Sequence, residues 1–303
     1  MSIESYDVIV VGAGVTGLYA TIELMGYGLR VANIESQLFG GLIINITELD
    51  GAIEGSGTDF ASELMMQASR AGATMLSETV IGLVEQSATQ IVLTTDQGSY
   101  QTKTVIIATG ATLKALNVPG ETAFKYKGIS NCADCDGPLY QDQEVVVVGG
   151  GDSAFQEALV LTEFCRKVHL IHHRASPTAK DQLSEAAKQH EKILIHSSCE
   201  VVEIFGTKGV EGVQVKQLTD KTTRRIACTG LFAYIGLKPS SDFLPANIEK
   251  DPAGHIITSS ELMTSRQGVF AAGAVRLGYG GMLEDAIKEA KVVAQQCLLV
   301  LNS

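Results

Sequence analysis

The chain contains no tryptophan, and no apolar run in it approaches the length of a membrane span. A spanning helix needs about 20 consecutive apolar residues, so none is expected. Basic residues are scarce: 23 Lys and Arg stand against 34 Asp and Glu, a formal net charge of −11. That balance argues against nucleic acid as a partner, because a phosphate backbone is held by clustered positive charge. Cysteine is sparse too. Six in 303 residues do not make a disulfide scaffold, and disulfide-dense chains belong to oxidising compartments. The first residues, Met1-Ser2-Ile3-Glu4-Ser5, lack a basic region followed by an apolar core. No signal peptide is therefore expected, and the expected setting is the reducing cytoplasm.

Glycine is abundant, at 31 residues, in a chain that is 45% hydrophobic. That mixture suits an α/β protein with many tight strand-to-helix turns, and the length allows two domains. Tyr6-Asp7-Val8-Ile9-Val10-Val11 reads as a buried parallel strand. Gly12-Ala13-Gly14-Val15-Thr16-Gly17 follows at once, then a helical stretch from Leu18 to Gly26, then a strand Arg30–Ile34 ending at Glu35. In this setting the glycines allow a tight turn, close approach to a pyrophosphate and close helix packing, and the acid can bind ribose hydroxyls. Gly40-Gly41 lets backbone lie against a flat ring, or serves only as a turn. Thr58–Ala71 reads as an amphipathic helix, and residues 74–107 as an antiparallel meander that returns to the main sheet and ends at Gly110.

The pattern then repeats. Glu144-Val145-Val146-Val147-Val148 runs into Gly149-Gly150-Gly151-Asp152-Ser153-Ala154, a helix to about Cys165, and a strand Val168–His172. A second meander is expected over 201–204, 212–216 and 231–236. Two nucleotide-binding units follow from this repeat. Near the end, Gly268–Gly273 reads as a strand closing in glycine. Gly280-Gly281 precedes a last helix, Met282–Leu301, whose N-terminus can face a polar ring edge or simply cap the fold.

Between the two signatures stands Cys132-Ala133-Asp134-Cys135-Asp136. Two thiols at this spacing can close a small disulfide, and nearby positive charge lowers a thiol's pKa. Asp136 can shuttle the proton as thiolates come and go. The same spacing also suits half of a zinc site. Zinc needs two further N or S ligands, usually a second close pair. Cys165, Cys199, Cys228 and Cys297 are lone residues in apolar stretches, read as small buried hydrophobes, and the histidines show no ligand spacing. A redox pair and no metal are therefore expected.

Taken in order, these stretches, with Ala108-Thr109-Gly110, His169–His172, Ala233-Tyr234-Ile235-Gly236 and Val269–Gly273, resemble the low-molecular-weight thioredoxin reductase family over essentially the whole chain. The resemblance implies two dinucleotide-binding, Rossmann-like domains, the second inserted into the first, each with an antiparallel meander. The first would be discontinuous, 1–115 and 240–303, and would hold FAD through Gly12, Gly14, Gly17, Glu35, Gly40, Gly41, Gly110, Gly273 and Ala286. The inserted domain, 116–239, would carry the disulfide and a second nucleotide site at Gly149, Gly151, Asp152, Ser153 and Arg174. Cys135 matches the cysteine facing the flavin, Cys132 the one that attacks a partner disulfide, and Asp136 the proton donor. A thioredoxin-like partner and a homodimer are implied as well.

The sequence also departs from the family. Where family members carry His-Arg-Arg and a further arginine that grip the 2′-phosphate of NADPH, this chain has His172-His173-Arg174 and Thr178, with Pro177 stiffening the loop. The family's Gly-Asp reads Gly273-Ala274, and its Arg-Gln-Ala reads Glu284-Asp285-Ala286. The acids at 284 and 285 either change the charge beside the flavin or point to solvent. The favoured reading is disulfide chemistry fed by a donor other than NADPH, such as ferredoxin, with a second FAD or weakly held NADP(H) in the second site. An ordinary NADPH-dependent reductase is the alternative. A flavoprotein without disulfide turnover is the third, disfavoured by the intact Cys132–Cys135 spacing.

Overall fold

In the computed structural model the first apolar run forms β1 (Glu4–Val11), and the first glycine loop leads into α1 (Val15–Gly26). The structure describes residues 3–46, 49, 55–87 and 90–302. The chain continues through β2 (Val31–Glu35), α2 (Gly57–Arg70), β3 (Thr74–Ser77), β4 (Val80–Ser87), β5 (Gln90–Thr95), β6 (Ser99–Ile107) and β7 (Ala111–Leu113). Ser56 caps α2, its hydroxyl accepting from the Asp59 N–H at 3.0 Å, which satisfies one of the amides a helix leaves open at its start.

The middle of the chain holds β8 (Ile129–Ser130), the one-turn α3 (Ala133–Asp136), β9 (Glu144–Val148), α4 (Asp152–Leu161), β10 (Lys167–His172), α5 (Asp181–Gln189) and β11 (Ile193–Ser197). A separate antiparallel sheet, β12 (Cys199–Gly206), β13 (Val210–Gln217) and β14 (Thr223–Ala227), precedes β15 (Gly230–Ala233). The chain then returns through β16 (Leu237–Pro239), β17 (Val269–Ala271) and α6 (Leu283–Leu301). Two units result: Met1–Thr112 with Lys238–Ser303, and Leu113–Leu237.

The first unit is built on one sheet in the order β3-β2-β1-β6-β5-β4. Strands β1, β2, β3, β6 and β17 pair in parallel, and β4-β5-β6 is antiparallel. Long β6 shares one edge between two neighbours, pairing with β5 at Ser99–Thr102 and with β17 at Val105–Ile107. The second unit repeats the plan with a parallel sheet β11-β10-β9-β15-β8.

Alternation along β1 explains why so apolar a run is needed. Val8 and Val10 face a core shared with Leu24 of α1 and Val293 of α6. Ile9 and Val11 face the opposite core, with Ile34, Leu93 and Leu244. Both faces are covered, so every position is apolar. Strand β9 does the same: Val145 and Val147 pack on Phe155 and Leu161, Val146 and Val148 on the β12–β14 sheet. The α/β class and the two Rossmann-like domains therefore follow from the same duplicated pattern.

Three local expectations are corrected. Strand β3 pairs in parallel with β2 and is not part of the first meander. The third strand of the second meander is β14, whereas 231–233 lies in β15, parallel to β9. Helix α4 ends at Leu161 rather than near Cys165, because the chain turns at Thr162–Phe164.

Candidate functional site

The first site gathers around the N-terminus of α1. Gly12 has φ +107°, and a Cβ there would lie 2.4 Å from the Ala108 carbonyl oxygen. A Cβ on Gly17 would lie 2.0 Å from the Gly12 oxygen. Neither position tolerates a side chain without moving backbone. Asn33, fully buried on β2, fixes the loop from beneath, its Nδ2 donating to Gly12 O at 3.2 Å and Thr21 Oγ1 at 2.9 Å. Gly14 bridges to Gly40, whose N–H donates to Ala13 O at 2.7 Å, and Gly41 comes against Gly14. Gly273 packs on Thr16, and Ala286 is buried with Ala13, Val15 and Leu18. Gly110 turns the chain after β6 with φ +62°.

Glu35 spans this loop. Its Oε2 accepts from Ala13 N–H at 2.8 Å and its Oε1 from Gln37 N–H at 2.9 Å. Each carboxylate oxygen has two acceptor positions, so each keeps capacity for a ribose hydroxyl. A cleft of about 770 Å³ opens beside it, lined among others by Gly12, Glu35, Gly41, Asn45, Thr79 and Thr109. A glycine edge that a Cβ would fill, a strand-end acid and the amides of a helix start fit an adenosine dinucleotide.

The motifs that depart from the family have local partners. Asp285 reaches back to the start of its own helix, Oδ2 accepting from Met282 N–H at 3.1 Å, and Glu284 is exposed. Asp285 is therefore a helix cap. Glu289 accepts from Gly273 N–H at 2.7 Å and from Arg276 Nε and Nη2 at 3.0 and 2.6 Å. That fork-to-fork pair is nearly buried and holds the turn after β17 against α6.

In the second unit the glycine loop is folded over by its own chain. The N–H groups of Thr178 and Ala179 donate to Gly150 O at 2.7 and 3.1 Å, and the Thr178 hydroxyl adds a third bond at 3.1 Å. Lys180 N–H donates to Asp152 Oδ1 at 2.7 Å. His172 is buried at the end of β10, with Nε2 at 3.1 Å from Ser197 Oγ. Its Nδ1 has no partner among the described residues. Burial holds its pKa below the ordinary histidine value. Ser153, His173 and Arg174 are exposed. Gly149 packs on the carbonyl of Tyr234 and Gly151 against Thr178.

Cys132 and Cys135 are joined as a disulfide at the start of α3. Ser130 Oγ accepts from Cys132 N–H at 3.1 Å and holds the strand just before the turn. Asp136 lies at the end of α3, half-buried, and its N–H donates to Cys132 O at 3.2 Å. Sequence reasoning overlooked the residue packed behind this turn. Glu157, midway along α4, accepts at Oε2 from Ala133 N–H and from Tyr234 Oη–H, both at 3.1 Å. Burial pushes the Glu157 carboxyl up, with those two donors pulling the other way. Burial and Glu157 together push the Tyr234 phenol up as well. The other four cysteines are buried thiols; burial pushes Cys165 up to about 11 and Cys228 to about 12. Among the described residues no cluster of His, Cys, Asp and Glu could hold a metal, and no helix is long and apolar enough to cross a membrane.

The pyridine nucleotide-disulphide oxidoreductase family matches residues 6–296. Thioredoxin reductase of Treponema pallidum (strain Nichols) is 37% identical over 275 residues, covering 89% of each chain. Thioredoxin reductase of Peptoclostridium acidaminophilum is 33% identical over 301 residues, covering 96% of this chain and 95% of that one. The crystal structure of Lactococcus lactis thioredoxin reductase in its FR conformation matches with a TM-score of 0.89 at 30% identity, covering 98% of this chain and 99% of that one. The chain is thus a pyridine nucleotide-disulphide oxidoreductase that belongs to the low-molecular-weight thioredoxin reductase family of flavin disulfide oxidoreductases.

Proposed function

We propose that this enzyme holds FAD in its first unit and reduces thioredoxin, or a similar protein disulfide, through Cys132 and Cys135. The Cys132–Cys135 disulfide carries this reading. Gly12, Gly14, Gly17 and Glu35 would hold the adenosine and pyrophosphate, with Gly40, Gly41, Gly110, Gly273 and Ala286 shaping the remainder. Bound there, FAD would supply the electron pair that opens the disulfide. Opening it consumes two electrons and, when both sulfurs end as thiols, two protons. Cys135 takes the role nearer the flavin, and Asp136 passes the proton. Cys132 as thiolate attacks the partner's disulfide and forms a mixed disulfide. Cys135 then displaces the partner's remaining sulfur, which restores the Cys132–Cys135 bond and releases a dithiol. The relatives' own description as thioredoxin reductases supports the choice of partner. A cytoplasmic homodimer is part of the same proposal.

The donor is a separate matter, and we read it as other than NADPH, with ferredoxin the carrier to test. The support is the second unit. A 2′-phosphate is best held by paired guanidiniums. Here the end of β10 offers Arg174 with the imidazole of His173, and Thr178 is tied to Gly150. Gly149, Gly151, Asp152 and Ser153 still form a dinucleotide loop, so the site suits a second FAD or weakly bound NADP(H). The alternative, an NADPH-dependent reductase, draws on that same loop and on the relatives' names. Releasing bound cofactors by denaturation and counting flavin per chain separates the two arrangements: two flavins favour the proposal, one leaves the second site to a nicotinamide or to nothing.

A further inference from the structure

Glu157 is a carboxylate with no part in the chemistry described above, yet it is bonded to the backbone of the redox turn. Its Oε2 takes the N–H of Ala133, the residue covalently next to Cys132. Tyr234 Oη–H, from the end of β15, holds the same oxygen. Ala133 is completely buried. Helix α4 thus carries a negative charge behind Cys132, fixed from two sides.

We infer that Glu157 is a positioning residue that sets the protonation of Cys132 once the disulfide is open. This deepens the exchange reading and rests on it. The argument is electrostatic. A second anion forming beside an existing one in a partly desolvated place is disfavoured, so an ionised Glu157 raises the pKa of the Cys132 thiol. The charge that acts on Glu157 is a further anion, Asp134. Asp134 and Asp136 lie on α3 and Glu157 on α4; the phenol of Tyr234, just after β15, faces Glu157, and that of Tyr140, after α3, lies near Asp136. None of these brings positive charge. The arrangement favours Cys132 as a thiol until a partner disulfide arrives, and it ties thiolate formation to the protonation of Glu157. Burial raises the Glu157 carboxyl above its ordinary value, so the carboxyl and the thiol are coupled through their protonation.

The test isolates Cys132 by using a Cys135→Ser protein, in which no electron donor is needed. The rate of iodoacetamide alkylation of Cys132 is followed against pH and assigned by peptide mapping. With Glu157 present the profile has two steps, one from Glu157 and one from the thiol. Adding Glu157→Gln removes the charge and keeps an oxygen for Ala133 N–H. The profile then becomes a single step, with its midpoint lower by about one pH unit. Glu157→Ala removes the bond as well. A Glu157→Gln profile that superimposes on its parent, with only Glu157→Ala altered, overturns the inference and leaves Glu157 a structural tie. Should the glutamine variant fail to fold, the parent decides alone: a single-step profile overturns the inference. Cys132 inert at every pH overturns both this inference and the exchange reading; equal midpoints overturn this inference only.

Discussion

Thr178 donates to the carbonyl of Gly150 twice, from its backbone N–H at 2.7 Å and from its hydroxyl at 3.1 Å. The loop after β10 is thereby drawn down onto the glycine loop of the second unit. At the position where the family resemblance implies a phosphate-binding arginine, this chain has a short side chain bonded inward. On the proposed reading of the second site, phosphate recognition and loop closure compete for that position.

That competition predicts a gain of function. The double variant His173→Arg and Thr178→Arg restores two guanidiniums and frees one of the Gly150 bonds. Each charge-assisted bond to a phosphate contributes about 1.5–3 kcal/mol. NADPH affinity should rise at least about tenfold, with NADH unchanged, as measured by calorimetric titration of the oxidised protein. An equal gain for both nucleotides would place the effect elsewhere than the 2′-phosphate.

Gly12→Ala should strip the first unit of its flavin. The added Cβ would lie 2.4 Å from Ala108 O at a φ of +107°, so the β1–α1 turn must move. The loop amides and Glu35 would be displaced together, because Ala13 N–H is bonded to the Glu35 carboxylate. The flavin-to-protein absorbance ratio after purification should fall to near zero while the circular dichroism of the second unit's helices persists.

Glu289→Ala should destabilise the first unit strongly. It leaves the Arg276 guanidinium, 16% exposed, without its counter-ion and holding only Leu277 O and Thr258 Oγ1 through Nη1, and it removes the acceptor of Gly273 N–H. Breaking such a pair costs about 3–5 kcal/mol. The thermal midpoint should drop by about 10 °C, and Glu289→Gln should recover part of it. A shift within about 2 °C for the alanine variant would show that solvent replaces the pair.

The second unit has a built-in acid sensitivity. Arg224 Nη2 donates to His196 Nδ1 at 2.8 Å, so His196 Nε2 carries the proton it shares with His169 Nδ1 at 3.0 Å. His169 Nε2–H then faces Glu144 at 3.3 Å. Both rings are neutral in this chain of bonds. Burial, followed by His169 and Arg224, lowers His196 to about 4, and burial likewise lowers His169. The hydrogen bond from His169 in turn lowers Glu144. Because the folded histidine pKa lies below its unfolded value of about 6.5, the unfolded chain takes up protons first as pH falls. The contribution is fully present above about pH 6.5 and is lost as pH falls towards about 4. Urea unfolding between pH 7 and pH 5 should show this loss, and His196→Gln should flatten it.

Much of the fold was legible because its signals are local. Strand, glycine loop, helix and strand occupy a short window, and each β-branched run had to be apolar on both faces. The cysteine pair was legible from spacing, and it is joined as a disulfide. Strand β14 was not, since Thr223-Arg224-Arg225 is exposed and shows no alternation. Strand β15 was placed in the wrong sheet because its partner β9 lies far back in the sequence. The supporting residues escaped for the same reason. Glu157 meets Ala133 across 24 positions and Tyr234 across 77, and neither spacing carries a pattern. The sequence leaves Asp285 either beside the flavin or in solvent, and the structure makes it a cap on its own helix. Three residues is a capping distance as much as a motif distance, and only the backbone direction separates the two.

The proposed chemistry and the proposed donor meet in one anaerobic experiment. Purified protein is mixed first with NADPH and then with reduced ferredoxin, in the presence of oxidised thioredoxin, while flavin absorbance and new thioredoxin thiols are recorded. The account predicts little bleaching with NADPH, then bleaching and thiol formation with ferredoxin, and no thiols when Cys132→Ser is used. Prompt bleaching by NADPH with full thiol yield would contradict it.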